Sequence, residues 1–96
     1  MMRPILPADL DLATRVLMAV PSERRAPEMD AMLRAACSGE ETRRRTGRLL
    51  PGHGDGSLLA VALLRPREGQ CPVGRVYRSC LRIVLDRIEA LERQTV

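Results

Sequence analysis

The stretch "GDGSLLAVALL", residues 54–64, decides the fold, because it reads either as a glycine loop feeding a strand or as one capping a helix. Seven consecutive apolar residues, Leu58 to Leu64, carry no periodicity that separates a buried strand from a buried helix. Composition favours the helix. All of these residues except Val61 are Leu or Ala, strong helix formers, and Asp55 and Ser57 are side chains suited to accept hydrogen bonds from first-turn amides. The segment is expected to be a central helix, covered on most sides by its neighbours, with Gly52, Gly54 and Gly56 supplying turn geometry before it.

Outward from this centre the chain reads as helices joined by proline and glycine breaks. A first helix follows "LPADLD": Pro7 suits a first turn, and Asp9 and Asp11 favour the positive helix end. Leu10, Ala13, Val16, Leu17 and Val20 then form one apolar stripe, which Pro21 ends. A second helix is expected over Pro27 to Ser38, with Met29, Met32, Leu33, Ala36 and Cys37 on one face and Gly39 as its stop. Glu40 to Thr46 is polar almost all round and reads as a short separate helix or turn. Residues 47–56 are loop, and so is "RPREGQCP", residues 65–72. The last helix runs from about Val73 to Arg93, with Val73, Val76, Tyr77, Cys80, Leu81, Val84, Ile88 and Leu91 in a seam opposite Arg75, Arg78 and Arg82. The expected architecture is a single all-α domain over residues 1–96, with four main helices plus the short polar one.

Composition narrows the function classes. All 16 basic residues are arginine, as a GC-rich bacterial genome favours, so the net charge of +4 is modest support for an anionic partner. Tyr77 is the sole aromatic, which disfavours modules that stack unpaired bases on flat side chains. Cys37, Cys71 and Cys80 are odd in number and widely spaced, pointing to free thiols and a reducing, cytoplasmic location. Pro4, Pro7, Asp9 and Asp11 interrupt any signal-peptide core, and no apolar run approaches the roughly 18 residues that span a bilayer, so no membrane role is expected.

Three constellations could carry chemistry. Glycines before a helix, with Arg45 and Arg48 nearby, resemble an anion site, yet neither a P-loop nor a dinucleotide fingerprint is present, and Asp55 would compete for the same amides. His53 and the three cysteines number four zinc-type ligands but lack any paired knuckle, so no metal or cofactor is expected. A nucleophile such as Ser57 or Cys71 would have only His53 as its base, and no acyl-transfer motif surrounds it. An enzyme centred on the His53 loop is therefore the third of three readings. The first is a non-enzymatic cytoplasmic adaptor or regulator that binds another protein through an arginine-rich face: Arg43, Arg44, Arg45 and Arg48, with Arg75, Arg78 and Arg82. The second is a regulator whose same arginines contact duplex DNA phosphates, and the apolar helix surface also leaves room for a homodimer. Internal pairing of the arginines with Glu40, Glu41, Asp55 or Glu68 is the structural alternative.

"TGR", residues 46–48, Pro51 and "GDGSL", residues 54–58, resemble the central signature of a family of short, uncharacterised bacterial proteins classed as a domain of unknown function. The resemblance spans most of the chain and implies a shared small helical fold. It implies no activity.

Overall fold

The computed structural model describes residues 2–49 and 51–94, in the order α1 (Pro7–Met18), a 3₁₀ turn (Ser22–Arg24), α2 (Arg25–Thr46), α3 (Leu58–Leu63) and α4 (Arg75–Gln94). Helix α1 starts as its sequence dictates. Pro7 occupies the first turn, where its missing N–H removes no intrahelical bond, and the Asp9 carboxylate accepts the Leu6 N–H at 2.9 Å. At the other end, Arg25 donates from Nε to the carbonyls of Leu17 and Val20, at 2.9 and 3.0 Å. A cation at the negative end of α1 thus turns the chain into α2.

Helix α2 departs from the sequence reading. It does not stop at Gly39 but continues through the polar segment to Thr46, and Gly47, at φ 71°, makes the left-handed C-cap. The expected separate helix is the last two turns of α2. Gly39 is glycine for a packing reason: a Cβ there would lie 2.5 Å from the His53 carbonyl oxygen, so the missing side chain lets the 51–57 loop rest on the helix.

Helices α1 and α2 each pack against both α3 and α4, while the backbones of α3 and α4 stay apart among the described residues. The core lies where the four meet. Leu17, Met29, Met32 and Leu58 are fully buried, each contributing roughly 1.5–3 kcal/mol of transfer free energy, and Val16, Val61, Cys80 and Val84 fill between them. Ion pairs from Arg65 to Glu28 and from Arg87 to Asp30, both 2.7 Å, tie the end of α3 and the middle of α4 to α2.

Two apolar expectations are corrected. The 58–64 segment is a helix, but only Leu58, Val61 and Ala62 are buried, while Leu63 and Leu64 project outward because a helix this short presents one face to the core. The α4 seam holds at Cys80, Val84 and Ile88, with Tyr77, Leu81 and Leu91 half-buried. Val73 and Val76 are exposed, since Val73 precedes α4, which begins at Arg75, and Val76 lies in its first turn, outside the buried line.

Candidate functional site

The polar groups converge where α1 begins, α2 ends and the 51–57 loop enters α3. Asp55 Oδ1 accepts both the backbone N–H and the hydroxyl of Ser57, at 3.1 and 2.8 Å, and Ser57 Oγ in turn accepts the Ala60 N–H at 3.1 Å. These two Ser57 bonds, joined by the Arg3 guanidinium, hold the Asp55 carboxyl below the usual carboxylate range against the opposing effect of burial. The second oxygen of Asp9, which is 3% exposed, accepts the Leu59 N–H at 2.7 Å. At the start of α3 the amides of Ser57, Leu59 and Ala60 are therefore taken by the chain's own Asp55, Asp9 and Ser57. What reads in sequence as a cradle for an external anion is filled by two internal carboxylates and a cap.

A third carboxylate closes the junction from α2. Glu40 is 3% exposed and receives a two-pronged grip from Arg43, Nη2 to Oε1 at 2.5 Å and Nε to Oε2 at 3.4 Å. Arg44 adds Nε to Oε1 at 3.2 Å, and Arg3 adds Nε to Oε2 at 3.4 Å. The Arg43 bond lowers the Glu40 pKa first, and the charges of Arg43, Arg3 and Arg44 act in the same direction against burial. Arg3 also reaches Asp55 at 3.4 Å, and its backbone N–H donates to the Gly56 carbonyl at 2.7 Å. Gly56 sits at φ 97° with its Cα against Glu40, in space that a Cβ would have to share with that side chain. Arg3, Asp9, Glu40, Asp55 and Ser57 form one latch that joins the N-terminal arm, α1, α2 and α3.

The latch divides the seven arginines singled out in the sequence. Arg43 and Arg44 turn toward Glu40, as the internal-pairing alternative describes. Arg45 and Arg48 are exposed at the end of α2, and Arg75, Arg78 and Arg82 are exposed along α4 on the side away from Cys80, Val84 and Ile88. Among the described residues none of these five forms an ion pair, although Arg78 donates to the Val73 carbonyl at 2.9 Å. Reasoning from the sequence missed Arg3 and Asp9 as junction residues. Their partners lie about fifty positions away, so no local spacing signals them.

The remaining candidates are dispersed. His53 Nδ1 lies 3.0 Å from the Pro51 carbonyl. Cys80 is buried in the core, where burial pushes its thiol up, while Cys37 and Cys71 are half-buried and Cys71 Sγ meets the Met18 sulfur at 3.9 Å. Among the described residues no three His, Cys, Asp or Glu side chains are grouped so as to hold a metal ion, and no helix is long and apolar enough to cross a membrane. Elsewhere the Tyr77 hydroxyl donates to Asp11 at 2.7 Å, and that bond raises its pKa to about 12, with burial acting in the same direction.

A small all-α domain fastened by a buried carboxylate–arginine latch is the class of protein that this geometry defines. The chain belongs to the family of domain of unknown function DUF7742, whose pattern covers residues 3–88. That span opens at Arg3, the arm residue of the latch, and closes at Ile88, a buried residue of α4. No curated protein and no solved structure matches the chain.

Proposed function

We propose that the protein is a non-enzymatic adaptor or regulator that binds another protein through the arginines left outside the latch. The observation that carries this reading is the exposed side of α4. Arg75, Arg78 and Arg82 stand there beside exposed Val73 and Val76, and Arg45 and Arg48 add a second exposed group at the end of α2. Positive charge in the first half of a helix opposes the helix dipole, so these three residues are not placed there for helix stability. Arginine beside aliphatic surface suits a protein contact patch, whereas the phosphate contacts of duplex binders come from basic and polar groups. Three free thiols support a cytoplasmic location.

The test uses charge reversal confined to exposed positions. Tagged wild-type protein, an Arg45→Glu/Arg48→Glu variant and an Arg78→Glu/Arg82→Glu variant are used to capture partners from the native host, with folding checked by circular dichroism. A partner retained by wild type and lost from at least one folded variant is the expected result. Equal capture by all three refutes the reading. A duplex-DNA shift at about 50 mM salt that weakens steeply as salt rises would replace it with phosphate binding.

A further inference from the structure

A cleft of about 590 Å³ runs between the N-terminal arm and α4. Its walls are aliphatic: Met2 and Ile5 from the arm, Leu10 from α1, and Leu85, Ile88 and Leu91 from α4. Leu85 to Leu91 spans about 9 Å of helix, enough for two side chains spaced one turn apart on an incoming helix. Arg3, Arg44 and the carboxylate Glu92 join this lining. Arg44 is poised for recognition. Glu40 holds its Nε, and its side chain is 72% exposed. The Nη pair is the edge of a guanidinium that meets a carboxylate with two parallel hydrogen bonds, and a buried partner has already oriented it.

We infer that this cleft is the anchor site for the protein partner: it takes two aliphatic side chains from an acidic amphipathic helix, whose flanking carboxylate docks on the Nη edge of Arg44. The inference rests on the protein-binding reading above, adds Arg44 of the latch to the five exposed arginines as a contact, and names the chemistry of the partner. Cleft and rim together provide an apolar pocket with a few fixed polar groups, the usual composition of a site for an anchored side chain.

The test uses three capped peptides of about 18 residues on one helical frame, long enough to be partly helical. One carries a leucine stripe with glutamate flanks, one the same stripe with lysine flanks, and one a serine stripe with glutamate flanks. At about 150 mM salt, where charges more than about 8 Å apart are largely screened, only the leucine–glutamate peptide is expected to bind and to shift the NMR signals of Leu10, Leu85 and Ile88. Leu85→Asp should weaken it at least about tenfold, Arg44→Lys several-fold through loss of the fork, and Arg67→Glu, at an exposed position outside the cleft, less than about twofold. No binding, equal binding of the lysine peptide, or shifts confined to Arg75–Arg82 overturn the proposal. So does displacement of the peptide by a medium-chain fatty acid at lower concentration than the peptide itself requires, which would make the cleft a small-molecule site. A host partner lost from Arg78→Glu/Arg82→Glu yet kept by Leu85→Asp removes the cleft proposal and leaves the protein-binding reading standing. One kept by every variant removes both.

Discussion

Replacing Gly39 by alanine sets two forces of opposite sign against each other. On helix propensity alone, Gly→Ala inside α2 should stabilise by about 1 kcal/mol. The packing argues otherwise, because the new Cβ would lie 2.5 Å from the His53 carbonyl oxygen and 3.1 Å from that of Gly54, whereas ordinary contact begins at 3.4 Å. The clashing atoms are backbone and cannot rotate away. The loop would have to retreat by roughly an ångström against its anchors, Arg3 to Gly56, Gly56 on Glu40 and Asp55 on Ser57. Overpacking of this kind costs about 1–3 kcal/mol, and a rigid obstacle belongs in the upper half of that range. The expected net effect is therefore a loss of about 1–2 kcal/mol, with Tm falling roughly 4–8 °C per kcal/mol in a domain of this size. Thermal unfolding followed by circular dichroism reads it, with urea midpoints at unchanged slope confirming that stability has changed. Gly69→Ala is the control: its Cβ meets nothing within 4 Å, so its effect should stay within about 0.5 kcal/mol. A Gly39→Ala variant with a Tm several degrees above wild type would refute the loop's seat on α2.

Ser57→Ala should cost about 1 kcal/mol through loss of the α3 cap. It should also flatten the acid limb of stability. The folded Asp55 pKa is depressed below 3.8, so its contribution is present above the ordinary carboxylate value and disappears as pH falls through the lowered one. Ser57 is the main cause of that depression, and a series of Tm values between about pH 5 and 2 should therefore fall less steeply in the variant. Tyr77 is the only tyrosine, so the long-wavelength phenolate absorbance reports it alone and should rise with a midpoint near 12, moving toward about 10 in Asp11→Asn. The raised value means that the tyrosine's contribution to stability is complete below its ordinary pKa and is lost as pH climbs through the folded one; a wild-type midpoint near 10 in still-folded protein would remove the Asp11 bond. A thiol reagent should label Cys71 and Cys37 in the native state and leave Cys80 untouched until unfolding, as mass spectrometry of partially labelled protein would show.

Local pattern made the helices legible. The α1 start, the α3 cap at Ser57 and the Cys80–Val84–Ile88 line of α4 all follow from spacing and residue type within a few positions. Misreadings arose where a distant segment decided the outcome. Gly39 has the signature of a helix stop, and only the arrival of His53 and Gly54 explains a helical glycine there. Glu40 to Thr46 is too polar to suggest docking, yet it docks through Glu40, whose desolvation is offset by Arg43, Arg44 and an arginine 37 positions upstream. Asp9 shows the same limit: its bond to Leu6 is readable as a helix-start device, and its bond to Leu59 is not.

The latch changes which arginines a mutational study can interpret. In "RRRTGR", residues 43–48, the obvious experiment reverses the whole run, but Arg43 and Arg44 neutralise a buried carboxylate, and a glutamate at either position would face Glu40 across the distance of a hydrogen bond. Loss of a partner in such a variant would report a loosened junction as readily as a lost contact, because leaving a buried charge uncompensated is among the costlier single changes a fold can suffer. Arg45 and Arg48 carry the same charge within the same turn and loop and form no such pair, so reversing them isolates recognition from folding. Arg44→Lys lies between the two cases. It keeps a cation beside Glu40 while removing the planar fork, so the latch should hold while any bidentate contact at the cleft rim fails. Comparing these three substitutions separates the structural use of the arginine run from its use as a surface.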